Sequence, residues 1–412
     1  MFVRRSDFLV LTRGLPTQTM ARLCGRALAM AALLAVTAGC ARHSDTIPMT
    51  KAYWDAASAD AVFAKSQDAP DGELDLKHGS ADLKNVSFSN GTIEFDIGLV
   101  GHGILGVKFR ARDKDNADVL YFRPQPNCAT SDDCIQYMPL EHGAFEWDLF
   151  PQYQAAAPIN SNGWNHIRMV IAGKRMKVFV NGQASPSLAV DDLEGPASIG
   201  TIGVHGPANF RNFKVTPAAS APSDVATPPA ADFIRNWQVS DPVRQSTAMD
   251  AVLKASVGTT PAYASMPPAS ARWKSIQAEP QGLVDLSREV GSQKDGAAIS
   301  LAWLTTTLVS DRDQVKTVHI GFVREIWVYS NGKPVYQDRN LYGVPGASKA
   351  PDGRFSIGNG SFSLPLHKGR NQIAVAVDDN LPDNAQHYGW GFAMRLDDPA
   401  GVSPSSGAVS VK

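Results

Sequence analysis

Glu94 and Asp96 stand two apart in Thr92-Ile93-Glu94-Phe95-Asp96-Ile97-Gly98-Leu99. Residues two apart on a strand share a face, so both carboxylates project to one side while Ile93, Phe95, Ile97 and Leu99 project to the other. Lys108, Arg110 and Arg112 repeat the spacing opposite Phe109 and Ala111, and Tyr121 shares a face with Arg123. If these faces coincide, they form a concave sheet lined by acids, guanidinium groups and rings, which Gln136, Tyr137 and Trp147 complete. A flat ring covers the C–H patch of a saccharide while convergent polar groups take its hydroxyls. The set Glu94, Asp96, Arg110, Arg112, Tyr121, Arg123, Gln136, Tyr137 and Trp147 therefore points to sugar binding. If the protein is an enzyme, Glu94, Asp96 and His142 are the first candidates for acid and base. A second grouping, Trp327, Tyr329, Tyr336, Arg339 and Tyr342, surrounds Asn331-Gly332 and the loop after it, and ligands favour loop ends held by rigid sheets.

Other signatures argue for less. Gly101-His102-Gly103-Ile104-Leu105-Gly106 has the spacing of a dinucleotide loop, but that loop must open a helix, and Val107-Lys108-Phe109-Arg110 reads as another strand. Asp113-Lys114-Asp115-Asn116-Ala117-Asp118 offers oxygen ligands of the kind calcium takes. It lacks the glycine and distal glutamate of an EF-hand loop and reads as a polar turn, so no metal or other cofactor is expected. The nine histidines form no ligand cluster, and neither a Gly-x-Ser-x-Gly elbow nor a phosphate-cradling glycine loop occurs. With 39 basic against 40 acidic side chains there is no broad basic field for a nucleic-acid backbone.

Arg22 and Arg26 precede an apolar run, Ala27 to Val36, that ends in Thr37-Ala38-Gly39-Cys40. This is the layout of an export signal, and it is too short to span a bilayer as a helix. Its last four residues resemble a bacterial lipobox, which implies a lipid on Cys40 as the membrane contact. Ala41-Arg42 carries no aspartate retention signal, so the expected location is the outer membrane of a bacterial envelope. With Cys24 removed and Cys40 acylated, Cys128 and Cys134 remain, and in an oxidising compartment they are expected to close a small disulfide loop.

Short alternating segments then recur with turn residues between them: 92–99, 105–112, 119–123, 135–139, 164–172, 175–180, 199–204 and 210–215, and later 299–310, 315–322, 325–329, 362–366, 371–378 and 389–395. Many such strands with no helical period between them imply an all-β chain of antiparallel sandwiches. Asn181-Gly182 and Asn331-Gly332 are hairpin signals. Residues 216–231 are nearly all Ala, Pro, Ser or Thr, the composition of a spacer. The expected order is a signal over 1–39, a tether over 40–77 with a short helix around 52–64, a sandwich over 78–215, a linker over 216–231, a second sandwich over 232–397 and a tail over 398–412.

Asn90-Gly91-Thr92-Ile93-Glu94-Phe95-Asp96-Ile97, Val107-Lys108-Phe109-Arg110-Ala111, Tyr121-Phe122-Arg123-Pro124, Gln136-Tyr137, Trp147 and Gly163-Trp164-Asn165 together resemble a concanavalin-A-like, laminin-G-type jelly roll. Trp273, Gly282-Leu283-Val284-Asp285-Leu286, Val328-Tyr329-Ser330-Asn331-Gly332, Leu364-Pro365-Leu366 and Gly389-Trp390-Gly391-Phe392 resemble a galactose-binding-like jelly roll. The resemblance implies recognition of carbohydrate or glycoconjugate. Glucanases of the first fold carry Glu-x-Asp-x-x-Glu or a form one residue shorter. Here Glu94-Phe95-Asp96 opens the motif, but Leu99 or Gly98 stands where the second glutamate belongs. A two-carboxylate mechanism needs both groups, so a non-catalytic binding protein is expected. A carbohydrate-active hydrolase or lyase of another layout and a structural protein-interaction lipoprotein are the alternatives.

Overall fold

The computed structural model describes residues 46–56, 60–101, 103–218, 228, 230–246, 271–291, 298–380 and 388–404. The expected signal, Cys40, His102 and most of the linker lie outside the described residues.

Alternation builds two facing sheets in the first half. One contains, in spatial order, Trp54–Asp55, Ser80–Leu83, Thr201–His205, Leu105–Asp113, Asn116–Phe122, Ile135–Glu141 and Gln154–Ala155, with Ala144–Phe145 beside Ile135–Glu141. The other runs Leu188–Val190, Arg175–Val180, Trp164–Ala172, Gly91–Leu99, Ala208–Pro217, Glu73–His78 and Asp60–Ala64. Their ladders are antiparallel. Ile93, Phe95 and Ile97 from one sheet and Val107, Phe109, Leu120 and Phe122 from the other share a fully buried core.

The expected tether over 40–77 is instead part of this sandwich. Met49, Trp54, Leu74 and Leu76 are buried in its core, because Glu73-Leu74-Asp75-Leu76 alternates as strictly as Gly91–Leu99 does. Where a helix around 52–64 is expected, Trp54–Asp55 and Asp60–Ala64 are strands. Asn181 and Gly182 do take positive φ, 51° and 74°. Their connection is longer than a two-residue hairpin, however, since Val178 pairs with Leu188.

The second half is organised by one 17-residue strand, Gln314–Ser330. Its first part pairs with Gly360–Leu366 and Gly391–Leu396, and its second with Lys333–Asn340 and Gly369–Asp378. The expected strands 315–322 and 325–329 are therefore continuous, and one chain segment serves both layers. The change of partners falls at Arg324, whose φ of 79° is a left-handed value seldom taken by a residue with a Cβ. Asn331-Gly332 makes a true two-residue hairpin, closing on Ser330 and Lys333. At the end of the chain, part of the expected tail forms the strand Val402–Pro404 beside Ala298–Ser310.

One segment, Phe145 to Tyr153, joins the two halves through a turn at 147–149 and a 3-10 helix, Pro151–Tyr153. Trp147 turns to one side and packs edge-on against Tyr342 and Tyr388. Asp148 turns to the other, where its Oδ2 accepts from Arg324 Nη2 at 2.6 Å with both side chains 0% exposed. The Asp148 carbonyl accepts from Phe355 N–H at 2.8 Å, and Asp148 Oδ1 accepts from Gly389 N–H at 3.2 Å. Leu149 and Phe150 then enter the second core. Gly389 must lack a side chain, since a Cβ there would meet Leu149 Cδ1 at 2.7 Å.

Beside this segment one guanidinium serves many acids. Arg288 pairs with Glu141 at 3.0 Å, Glu279 at 2.7 Å and Asp285 at 3.5 Å, and fully buried Glu146 lies in the same field. Burial pushes the Glu141 carboxyl up to about 7 against the pull of Arg288. Burial also raises Glu146, Glu194 and Glu279, each with like charges nearby.

Two outcomes follow from the junction. Arg324→Leu strands a buried carboxylate and should cost about 3–5 kcal/mol in urea unfolding, while the double variant Asp148→Leu/Arg324→Leu should cost much less. Carboxyls raised in the folded state make it bind more protons than the unfolded chain above their ordinary value of about 4.3. Their contribution is full below that value and is lost as pH rises through the folded values. The urea midpoint should therefore fall between about pH 5 and about pH 8, and Glu194→Gln should flatten that decline.

Candidate functional site

The residues grouped by strand parity do not share one surface. Glu94 and Asp96 lie in the sheet opposite to the one that carries Arg110, Tyr121 and Gln136, and they face away from the core. Asp96 is engaged by His166 Nδ1 at 2.8 Å, Asn212 Nδ2 at 2.7 Å and Arg211 Nε at 3.6 Å. His142 occupies the exposed turn after Ile135–Glu141 with φ of 50°.

Arg110 departs from the expected face for a local reason. Its φ is 49°, and the pairing with Asn116–Phe122 shifts register between Phe109 and Asp113. A bulge of this kind redirects the side chains beyond it. Lys108 reaches Asp82, whereas the Arg110 guanidinium donates to the Ser89 and Gly173 carbonyls. Arg112 is exposed beside Asp113. Tyr137 points into the core, where its hydroxyl donates to Asp118 Oδ1 at 2.6 Å. Asp113 Oδ1 accepts from Asp115 N–H and Asn116 Nδ2, which makes that stretch a hydrogen-bonded turn.

The remaining members converge, and the second half brings partners to them. Tyr121, Arg123 and Trp147 border a cavity of about 400 Å³ together with Tyr342, Tyr388, Gln125 and Asp133. Arg123 Cζ lies 4.8 Å from the Tyr121 ring centroid and 5.3 Å from that of Trp147. Its guanidinium also donates to the Tyr121 hydroxyl and to the Asp133 carbonyl. The Tyr121 hydroxyl donates to Gln136 Oε1 at 2.7 Å, and Gln136 Nε2 donates to the Trp147 carbonyl at 2.8 Å. Burial drives the Tyr121 hydroxyl far above its ordinary value, so it stays a neutral donor.

Trp147 is the floor of this cavity rather than an open platform. It is only 4% exposed, held edge-on by Tyr342 and Tyr388 with ring centroids 4.7 and 5.3 Å away. The ring offered to solvent is Tyr342, at 44% exposure. The rim is braced by the Cys128–Cys134 disulfide, which closes the loop between Arg123 and Ile135. Burial raises the Asp133 carboxyl, but hydrogen bonds from Ser131 and Gln125 and the charge of Arg123 outweigh it and keep Asp133 below the usual carboxylate range. Burial pushes the Tyr388 hydroxyl up to about 12.

The second expected grouping is divided. Tyr342 belongs to the cavity just described. Trp327 and Tyr329 share a face with Trp303, and Arg339 is on that face, paired with Glu325. Tyr336 lies on the other side of its strand, stacked on Phe362 at 5.0 Å. Parity reasoning missed Gln125, Asp133 and Tyr388. The paired cysteines were a signal for Asp133, inside their loop, and for Gln125, just before it, while no sequence pattern marks Tyr388.

Residues 50–216 match the family described as the 3-keto-alpha-glucoside-1,2-lyase-like domain. No curated sequence matches the chain. Among solved structures, carbohydrate binding module CBM66 from Bacillus subtilis is similar at 19% identity and a TM-score of 0.29, over 40% of this chain and 93% of that one. Domain 4 of a GH43 extracellular arabinanase from Geobacillus stearothermophilus, in complex with arabinotriose, is similar at 12% identity and a TM-score of 0.26, over 38% and 77%.

Proposed function

We propose that the protein binds a saccharide in the cavity formed by Tyr121, Arg123, Trp147, Tyr342 and Tyr388, and that it does so from the cell envelope, tethered by a lipid on Cys40. The observation that carries the reading is this convergence of four rings and a guanidinium on about 400 Å³ of space. A sugar presents a C–H face, and the exposed ring of Tyr342 is a surface for it. It also presents hydroxyls, and Arg123, Gln125 and Asp133 offer donors and acceptors at the rim. The match of residues 50–216 to a family named for a glucoside supports the same ligand class.

A second reading, bond cleavage in the same cavity, is favoured by the lyase chemistry in that family's description. A glycosidase needs two carboxyl groups, and Asp133 is the only carboxylate among the described residues that line the cavity. A 3-keto sugar lifts that requirement, because the ketone acidifies the C–H beside it and one base suffices. Asp133 would take the proton at C2, the electron pair would form a C1–C2 double bond as the C1–O bond breaks, and the departing oxygen would take a proton from water.

Titration calorimetry with neutral gluco-oligosaccharides tests the binding reading. Tyr342→Ala should weaken binding at least tenfold, about 1.4 kcal/mol, and Glu94→Gln on the opposite sheet should change nothing. No heat of binding with any neutral oligosaccharide removes the reading. Incubation with a 3-keto-glucoside separates the two: recovery of intact ligand supports binding alone, whereas release of the aglycone, abolished in Asp133→Asn, assigns the lyase.

A further inference from the structure

A second cavity, of about 490 Å³, opens on another side of the Phe145–Tyr153 segment. Its walls mix rings, among them Tyr153, Phe233 and Phe355, with the amides of Gln152 and Gln281, the combination that suits a hydroxylated ring. It differs from the first cavity in charge. Asp192, Glu194 and Glu279 all line it. Asp192 pairs with Lys174 at 2.6 Å, and Glu279 with Arg288 at 2.7 Å. The Glu194 carboxylate has no hydrogen bond or ion pair of its own among the described residues. The charges around it are Glu279 and Asp192, which repel it, and Arg288 and Lys174, which those acids already engage. The Glu194 backbone is fixed, its N–H donating to the Tyr137 hydroxyl and its carbonyl accepting from Arg288, so the residue is held at the cavity wall. Lys174 and Arg288 are shared among more acids than they can balance, since Arg288 also serves Glu141 and Asp285, and this leaves room for a cation.

We propose that this cavity takes a sugar bearing a free amino group, with the ammonium paired to Glu194 and the ring laid against Tyr153 and Phe355. Acetylation removes the positive charge and adds bulk, so an N-acetylated sugar is refused. The inference concerns a different cavity and does not rest on the reading of the first one.

The test is titration calorimetry of the full chain in a Tyr342→Ala background, which removes the exposed ring of the first cavity, with glucosamine tetramer and its fully N-acetylated counterpart as probes. The amine form should bind, the acetylated form at least tenfold more weakly, and adding Glu194→Gln should weaken the amine form at least tenfold. Removing one of three like charges relieves repulsion, so thermal unfolding should show the Glu194→Gln protein at least as stable as its parent, which separates lost binding from lost fold. Equal binding of the two probes, no binding of the amine form, or unchanged affinity in Glu194→Gln overturns the proposal.

Discussion

A carboxylate and a guanidinium with no exposure to water, Asp148 and Arg324, tie the first half of the chain to the second. Two such charges lose several kcal/mol of hydration each, and only close pairing with further hydrogen bonds restores the balance. Asp148 has those bonds from Gly389 and from its partner. Arg324 stands where the strand Gln314–Ser330 changes partners, in a backbone conformation that a branched or bulky residue resists. The pair thus fixes the bend of the second sandwich and its placement on the first at one point. The cavity between Trp147, Tyr342 and Tyr388 exists because that placement holds.

The two cavities of the junction divide its chemistry. On the Trp147 side, aromatic rings and one guanidinium dominate, with Asp133 kept ionised by its hydrogen bonds. On the Tyr153 side, carboxyls outnumber bases, and burial and mutual repulsion raise them, which an added positive charge would reverse. A neutral polyol suits the first environment and a cation the second. The contrast arises within one short segment, because the turn at 147–149 and the 3-10 helix Pro151–Tyr153 send neighbouring side chains to different sides.

Much of this architecture can be read from alternation alone. Trp164–Ala172 and Arg175–Val180 appear at their expected bounds, since each presents a clean apolar face to a core. The Asn331-Gly332 hairpin follows from backbone geometry that few other residue pairs accept. The candidate site was less legible. A single bulge after Phe109 turned Arg110 away from the face that parity assigned to it. Glu94 and Tyr121 obey the same alternation yet sit in opposite sheets, because alternation fixes a face within a strand and says nothing of which strands are neighbours. Tyr342 and Tyr388 reach Trp147 across about 200 residues of sequence or more, a distance over which local pattern carries no information.

Phe145 to Tyr153 would ordinarily count as a connection, the part of a protein in which length varies freely. Here Trp147, Asp148 and Leu149 each have a separate destination on a different surface. Deleting or inserting one residue in the turn at 147–149 would move at least one of the three away from its partner. The segment's length is therefore as tightly prescribed as that of any sheet strand, and related chains that keep the junction should vary its composition before its residue count.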